Sequence, residues 1–139
     1  MEKFILLPVF VQVLLTSVVM ILMGRRRIAA AKNKEITLSA FRTMNLTGAN
    51  EQVIATSRNF DNQFQMPMLY LFSVLFTLQL GLADLAYVVL GAAYVLLRIL
   101  HTVVHIGSNA VRLRFNVFLL SCAVLWVIWL RLVWQVLVA

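Results

Sequence analysis

From Phe4 to Met23 the chain runs without one charged side chain. A hydrocarbon layer of about 30 Å needs roughly 20 apolar residues for each helical crossing. Every backbone N–H and C=O must be satisfied inside the segment, so such a run has few alternatives to a helix. Three more apolar runs follow, at about 63–83, 85–107 and 115–138. Of the 139 residues, 63% are hydrophobic and only 12% charged, where a soluble domain carries roughly a quarter of its residues charged. The pattern predicts an all-α fold: one integral membrane domain over 1–139, built as a four-helix bundle. Two of the three connections are short. They force neighbouring helices to run antiparallel, which predicts an up-down-up-down arrangement.

The basic residues set an orientation. The first connection holds Arg25, Arg26, Arg27, Lys32, Lys34 and Arg42, with Arg58 at its end. The third holds Arg112 and Arg114, the second holds none, and the N-terminus has only Lys3. The positive-inside rule places the first and third connections in the cytoplasm and both termini on the opposite side. The net charge of +7 therefore reads as topology and contact with anionic lipid head groups rather than nucleic-acid binding. The first run exceeds a signal-peptide core, lacks a small-x-small cleavage site and meets Gly24-Arg25-Arg26-Arg27. That predicts a retained span closed by a stop-transfer cluster. The segment Glu35–Asn50 mixes polar and apolar residues and reads as interfacial helix and loop. A single cysteine, Cys122, excludes an intrachain disulfide.

Some polar residues do not belong in lipid. Arg98 lies near the middle of the third run, where an arginine costs at least about 2.5–3.5 kcal/mol on insertion scales. It should face protein or a watery cavity. His101, His105 and Arg112 follow at offsets of three, seven and fourteen. On a continuous helix all four share a face about 21 Å long, from mid-membrane to the cytoplasmic surface. At the cytoplasmic end of the second run, Arg58, Asn62 and Gln65 share another face, with Asp61 beside them. Together the two stripes predict a basic pocket suited to a carboxylate or other anion. Snorkelling accounts as well for Arg58, Arg112 and Arg114 taken singly, and is the favoured account of Arg131. Interhelical hydrogen bonding does the same for Asn62 and Gln65.

Other chemistries fit poorly. His101 and His105 offer two ligands on one helix where a metal site takes three or four, so no metal is expected. A glycine-rich phosphate loop and a nucleophile-bearing strand–turn–helix motif are both missing from the sequence. A proton-coupled small exporter needs an intramembrane carboxylate, and the first, third and fourth runs contain no Asp or Glu.

Two segments resemble the MAPEG superfamily, the membrane-associated proteins in eicosanoid and glutathione metabolism. The first is Arg58-Asn59-Phe60-Asp61-Asn62-Gln63-Phe64-Gln65-Met66-Pro67, similar to the family's span-two signature of arginine, asparagine, a glutamate three residues later and a nearby proline. The second is Arg98-Ile99-Leu100-His101-Thr102-Val103-Val104-His105, similar to its span-three pattern of arginine, histidine, a small hydroxyl residue and tyrosine. In style the chain is nearest the short bacterial members, which implies an inner-membrane location. The resemblance implies a homotrimer with sites between subunits near the cytoplasmic side. In catalytic members glutathione binds there as co-substrate, and the resemblance implies that a lipophilic small molecule is conjugated or reduced. Carried over by position, Arg58, Asn62, Gln65, Arg98, His101, His105 and Arg112 are binding residues, and Arg114 stands nearest the thiolate-stabilising arginine. A cation beside a thiol lowers its pKa and makes it a strong nucleophile near neutral pH. Two positions depart from the pattern. Gln65 stands where the family has its glutathione-binding glutamate, and a neutral amide makes weaker bonds to an amine than a carboxylate does. His105 stands where catalytic members have tyrosine. A second reading therefore stays open: a non-catalytic membrane protein that binds a lipid or amphipathic anion.

Overall fold

The computed structural model describes residues 2–138. Its helices are α1 (Glu2–Lys32), α2 (Glu51–Gln63), α3 (Met66–Gln79), α4 (Leu85–Ile106) and α5 (Val111–Val138), with a short 3-10 turn at Leu38–Arg42. Three of them, α1, α4 and α5, are long and apolar enough to cross a membrane. α1 is apolar almost all round. It buries only Ile5, Pro8, Gln12, Val19 and Ala30, while Phe4, Leu7, Phe10, Leu14 and Ile21 lie exposed. A helix with so narrow an inner stripe has lipid as its natural solvent.

The second apolar run is not one helix. It breaks at Phe64 and Gln65, and Pro67 sits in the first turn of α3. Proline has no N–H to give the Gln63 carbonyl, and its ring would clash with that carbonyl in a continuous helix. α2 ends instead in a tight turn, with Phe64 N–H donating to the Asp61 carbonyl at 3.1 Å. α3 then stops at Gln79, and Gly81 takes a φ of +67° in the turn that follows. The expected stretch 63–83 is therefore shortened to the 14 residues of α3.

α1 also differs from expectation. It does not end at the arginines but continues to Lys32, for 31 residues in all. Arg26 donates to the Gln52 carbonyl and to Thr56 Oγ1. Arg27 donates twice to Ser57 Oγ, at 3.1 and 3.0 Å, and lies over the Phe41 ring. Two of the three clustered arginines thus clamp α1 onto α2, and Arg25 stays exposed. Beneath the clamp, Ala30, Ile36 and Val53 form a small apolar cluster with Phe41, Leu46 and Ala49 around it.

The main core gathers Ile5, Tyr70, Val74, Tyr87, Tyr94, Val95, Leu125 and Ile128 from α1, α3, α4 and α5. α4 packs most extensively on α5. Contacts pair the start of α4 with the end of α5: Tyr87 with Gln135, and Asp84 with Arg131. Arg131, for which snorkelling was expected, instead pairs with Asp84 and covers the Tyr87 ring. Asp84 also caps α4 by accepting the Tyr87 N–H at 3.1 Å. Gly91 is filled within the chain. An added Cβ there would stand 2.7 Å from the Tyr70 hydroxyl.

Candidate functional site

The break between α2 and α3 opens the interior to polar groups. Without a continuing helix, the last carbonyls of α2 lose their intrahelical donors. Arg98 Nη2 donates to one of them, the Asn62 carbonyl, at 3.3 Å. Arg98 is 0% exposed, as its depth in the third run demanded. Its guanidinium lies 6.0 Å from the centre of the Phe118 ring, and its Nε and Nη1 have no hydrogen-bond partner. A buried cation so sparsely bonded carries a large desolvation cost.

One turn on from Arg98 in α4, His101 turns its Nδ1 to the Arg114 carbonyl of α5, 3.3 Å away. His105 lies a further turn along, with its ring centre 5.5 Å from that of His101. Its Nδ1 is 3.2 Å from Asn59 Nδ2 on α2. Both imidazoles are 3% exposed, and the Nε2 of each is unpartnered.

These side chains border a cavity of about 450 Å³. Arg58, Asp61, Asn62 and Gln65 line it from the α2 side, His101 and His105 from α4, and Val111, Arg114, Phe115 and Phe118 from α5. Arg114 is held in place by a chain of bonds. Its Nη1 donates to Asn109 Oδ1 at 2.6 Å, and Asn109 Nδ2 donates to Glu51 Oε1 at 3.0 Å. The walls combine two guanidinium groups, two imidazoles and one carboxylate with two phenylalanine rings. Among the described residues no ion pair joins Asp61 to Arg58 or Arg114, so their charges stay available to a ligand. The described residues contain no cluster of three metal-ligating side chains.

The structure brings together Arg58, Asn62, Gln65, His101, His105 and Arg114, with Arg98 buried behind Phe118 and bonded to Asn62. Arg112 is not among them. α4 ends at Ile106, the chain turns through Gly107 and Asn109, and Arg112 stands exposed in the first turn of α5. The expected fourteen-residue stripe therefore stops at His105. An offset of fourteen has meaning only along one unbroken helix.

Two buried residues were missed. Asn59 and Gln63 are 0% and 2% exposed. Gln63 Nε2 donates to Asn59 Oδ1 at 3.0 Å and to Thr102 Oγ1 at 3.2 Å, and Gln12 Nε2 on α1 donates to Gln63 Oε1 at 3.0 Å. Their spacing of four, together with a glutamine in the first apolar run, was the available signal.

The profile of the MAPEG family matches residues 5–134. The chain belongs to the MAPEG family. It is accordingly a membrane protein in contact with lipid, and its apolar outer faces are those of a MAPEG protein's helices. Neither a curated protein nor a solved structure matches this MAPEG chain.

Proposed function

We propose that this MAPEG protein is a thiol transferase or peroxidase. It uses glutathione or a similar thiol on lipophilic electrophiles, at a cytoplasm-facing site completed by a neighbouring subunit in a homotrimer of the inner membrane. The observation that carries this reading is the convergence of six sequence-selected residues on one cavity beside the buried Arg98. Arg114 and Arg58 suit the carboxylates of such a thiol. Arg114 also suits the thiolate, since a fixed guanidinium favours the ionised sulfur. Phe115 and Phe118 offer an apolar wall to the electrophile. Asp61 supports the reading in a further way. Gln65 lacks the carboxylate that family members use for the amine of glutathione, and Asp61, one turn earlier, brings one to the same cavity.

The test is calorimetric titration of the detergent-purified protein with glutathione, paired with Arg114→Ala. Saturable binding that weakens at least about tenfold in the variant is expected, in line with the loss of charge-assisted bonds. No saturable heat with the wild-type protein would remove the reading. The second reading, a binding protein for a lipid or amphipathic anion, is favoured by the neutral side chain of Gln65. Anion binding without turnover of any thiol would establish it.

A further inference from the structure

We infer that Asn59, oriented by Gln63 and Gln12, is a positioning residue that fixes which nitrogen of His105 carries the proton. A tyrosine hydroxyl always holds its proton on the same oxygen. Imidazole does not: neutral histidine has one donor nitrogen and one acceptor, and its neighbours decide which is which. His105, standing where the family has tyrosine, therefore needs a partner that makes this choice.

The neighbours are in place. Asn59 presents its amide nitrogen to His105 Nδ1. An amide nitrogen only donates, so Nδ1 accepts and the proton of the neutral ring lies on Nε2. Asn59 is held against turning alone because its oxygen receives the N–H of Gln63, whose own oxygen receives the N–H of Gln12, where the chain ends on a buried Gln12 Oε1 without a partner. One amide turned over alone would set oxygen against oxygen or nitrogen against nitrogen. The polarity is a property of the whole chain of amides, from α1 through α2 to α4. Asn59 is 0% exposed and Gln12 1%, so solvent does not compete for these bonds.

His101 is set the opposite way. Its Nδ1 faces a backbone carbonyl, which only accepts, so Nδ1 holds the proton and Nε2 keeps its lone pair. The two rings, which line one cavity, thus hold a buried unpartnered donor and a buried unpartnered acceptor. A ligand that reaches these nitrogens as the side chains over them shift carries an acceptor oxygen for His105 and a donor, such as a thiol or hydroxyl, for His101. This chemical use rests on the reading of the cavity as a thiol site; the protonation pattern does not.

Nitrogen NMR of the full chain in lipid nanodiscs, with histidine labelled at both ring nitrogens, reads the pattern directly. The measurement is made at alkaline pH, where both rings are neutral, and His101→Gln assigns the signals. Wild-type protein is expected to show His105 protonated on Nε2 and His101 on Nδ1. In Asn59→Asp the carboxylate accepts only, so the His105 proton moves to Nδ1. In Gln63→Leu, which frees Asn59 to turn, the two His105 forms become mixed. Wild-type His105 protonated on Nδ1, or a pattern that Asn59→Asp leaves unchanged, overturns the inference. If Asn59→Asp does not fold, the wild-type and Gln63→Leu spectra decide. Should wild-type protein bind no thiol yet show the expected pattern, the thiol reading fails and the role of Asn59 stands. With turnover present, Asn59→Asp lowers kcat at least about tenfold and leaves KM for the thiol little changed.

Discussion

Asp61 and the arginines Arg58 and Arg114 line one cavity without pairing, and this separation lets a single ligand meet both signs of charge. Asp61→Asn is expected to weaken glutathione binding about tenfold, the loss of one bond to a charged amine. It should leave a plain anion, such as a fatty acid, bound as before. Titration with both ligands checks this and separates the two functional readings. Arg98 poses the reverse case. It is fully buried with two nitrogens unpartnered, and an apolar side chain of similar length would remove that burden. Arg98→Met is expected to raise the thermal midpoint in detergent, with a gain of about 1–4 kcal/mol as seen when buried charges give way to apolar groups. The same change removes a positive charge from behind the cavity wall and should weaken anion binding several-fold. Stability and function would then be opposed at one position. Arg98 was legible from its depth alone. Asn59 and Gln63 were not, because a polar residue near a helix end is unremarkable until the partners that bury it are known. Those partners, Gln12, Thr102 and His105, come from two other helices.

The helix break before Pro67 decides what the interior can hold. It frees the Asn62 carbonyl, and Arg98 is the donor that takes it. In Pro67→Ala the new N–H can reach the Gln63 carbonyl, and the Met66 N–H can reach that of Asn62. Arg98 would then compete with the backbone for its one bond. Weaker anion binding, by several-fold, with the thermal midpoint unchanged or raised is expected from paired titration and melting. Hydropathy could not disclose this break, since apolar content varies smoothly across 63–83 while backbone hydrogen bonding does not. The proline itself was the signal. The start of α4 was read more closely: it begins at Leu85 behind its Asp84 cap, as the apolar run suggested, whereas α5 begins at Val111, ahead of the expected 115. The extension of α1 to Lys32 was hidden because a charge cluster marks where apolar character stops. It does not mark where a helix stops. Arg26 and Arg27 find partners on α2, and the helix continues beneath them.

For the whole molecule, the distribution of lysine and arginine predicts that the first and third connections lie in the cytoplasm. Reporter fusions at either terminus should be active only on the outer side of the inner membrane, and native mass spectrometry in mild detergent should give three chains per particle. A cytoplasmic C-terminus would reverse the orientation and move the cavity to the other face. Class and membrane residence were readable because lipid imposes them on any chain this apolar. The assembly is different: exposed apolar side chains serve lipid and a neighbouring copy equally well. At about 1.5 Å per residue, the 31 residues of α1 extend about 46 Å, well beyond a hydrocarbon layer of about 30 Å. A rod of that length, pinned to α2 by two guanidinium groups, would set the height of the polar rim where oil meets water. A molecule with an ionic head and a greasy tail could then keep each part in its preferred phase while its reactive centre rests between them.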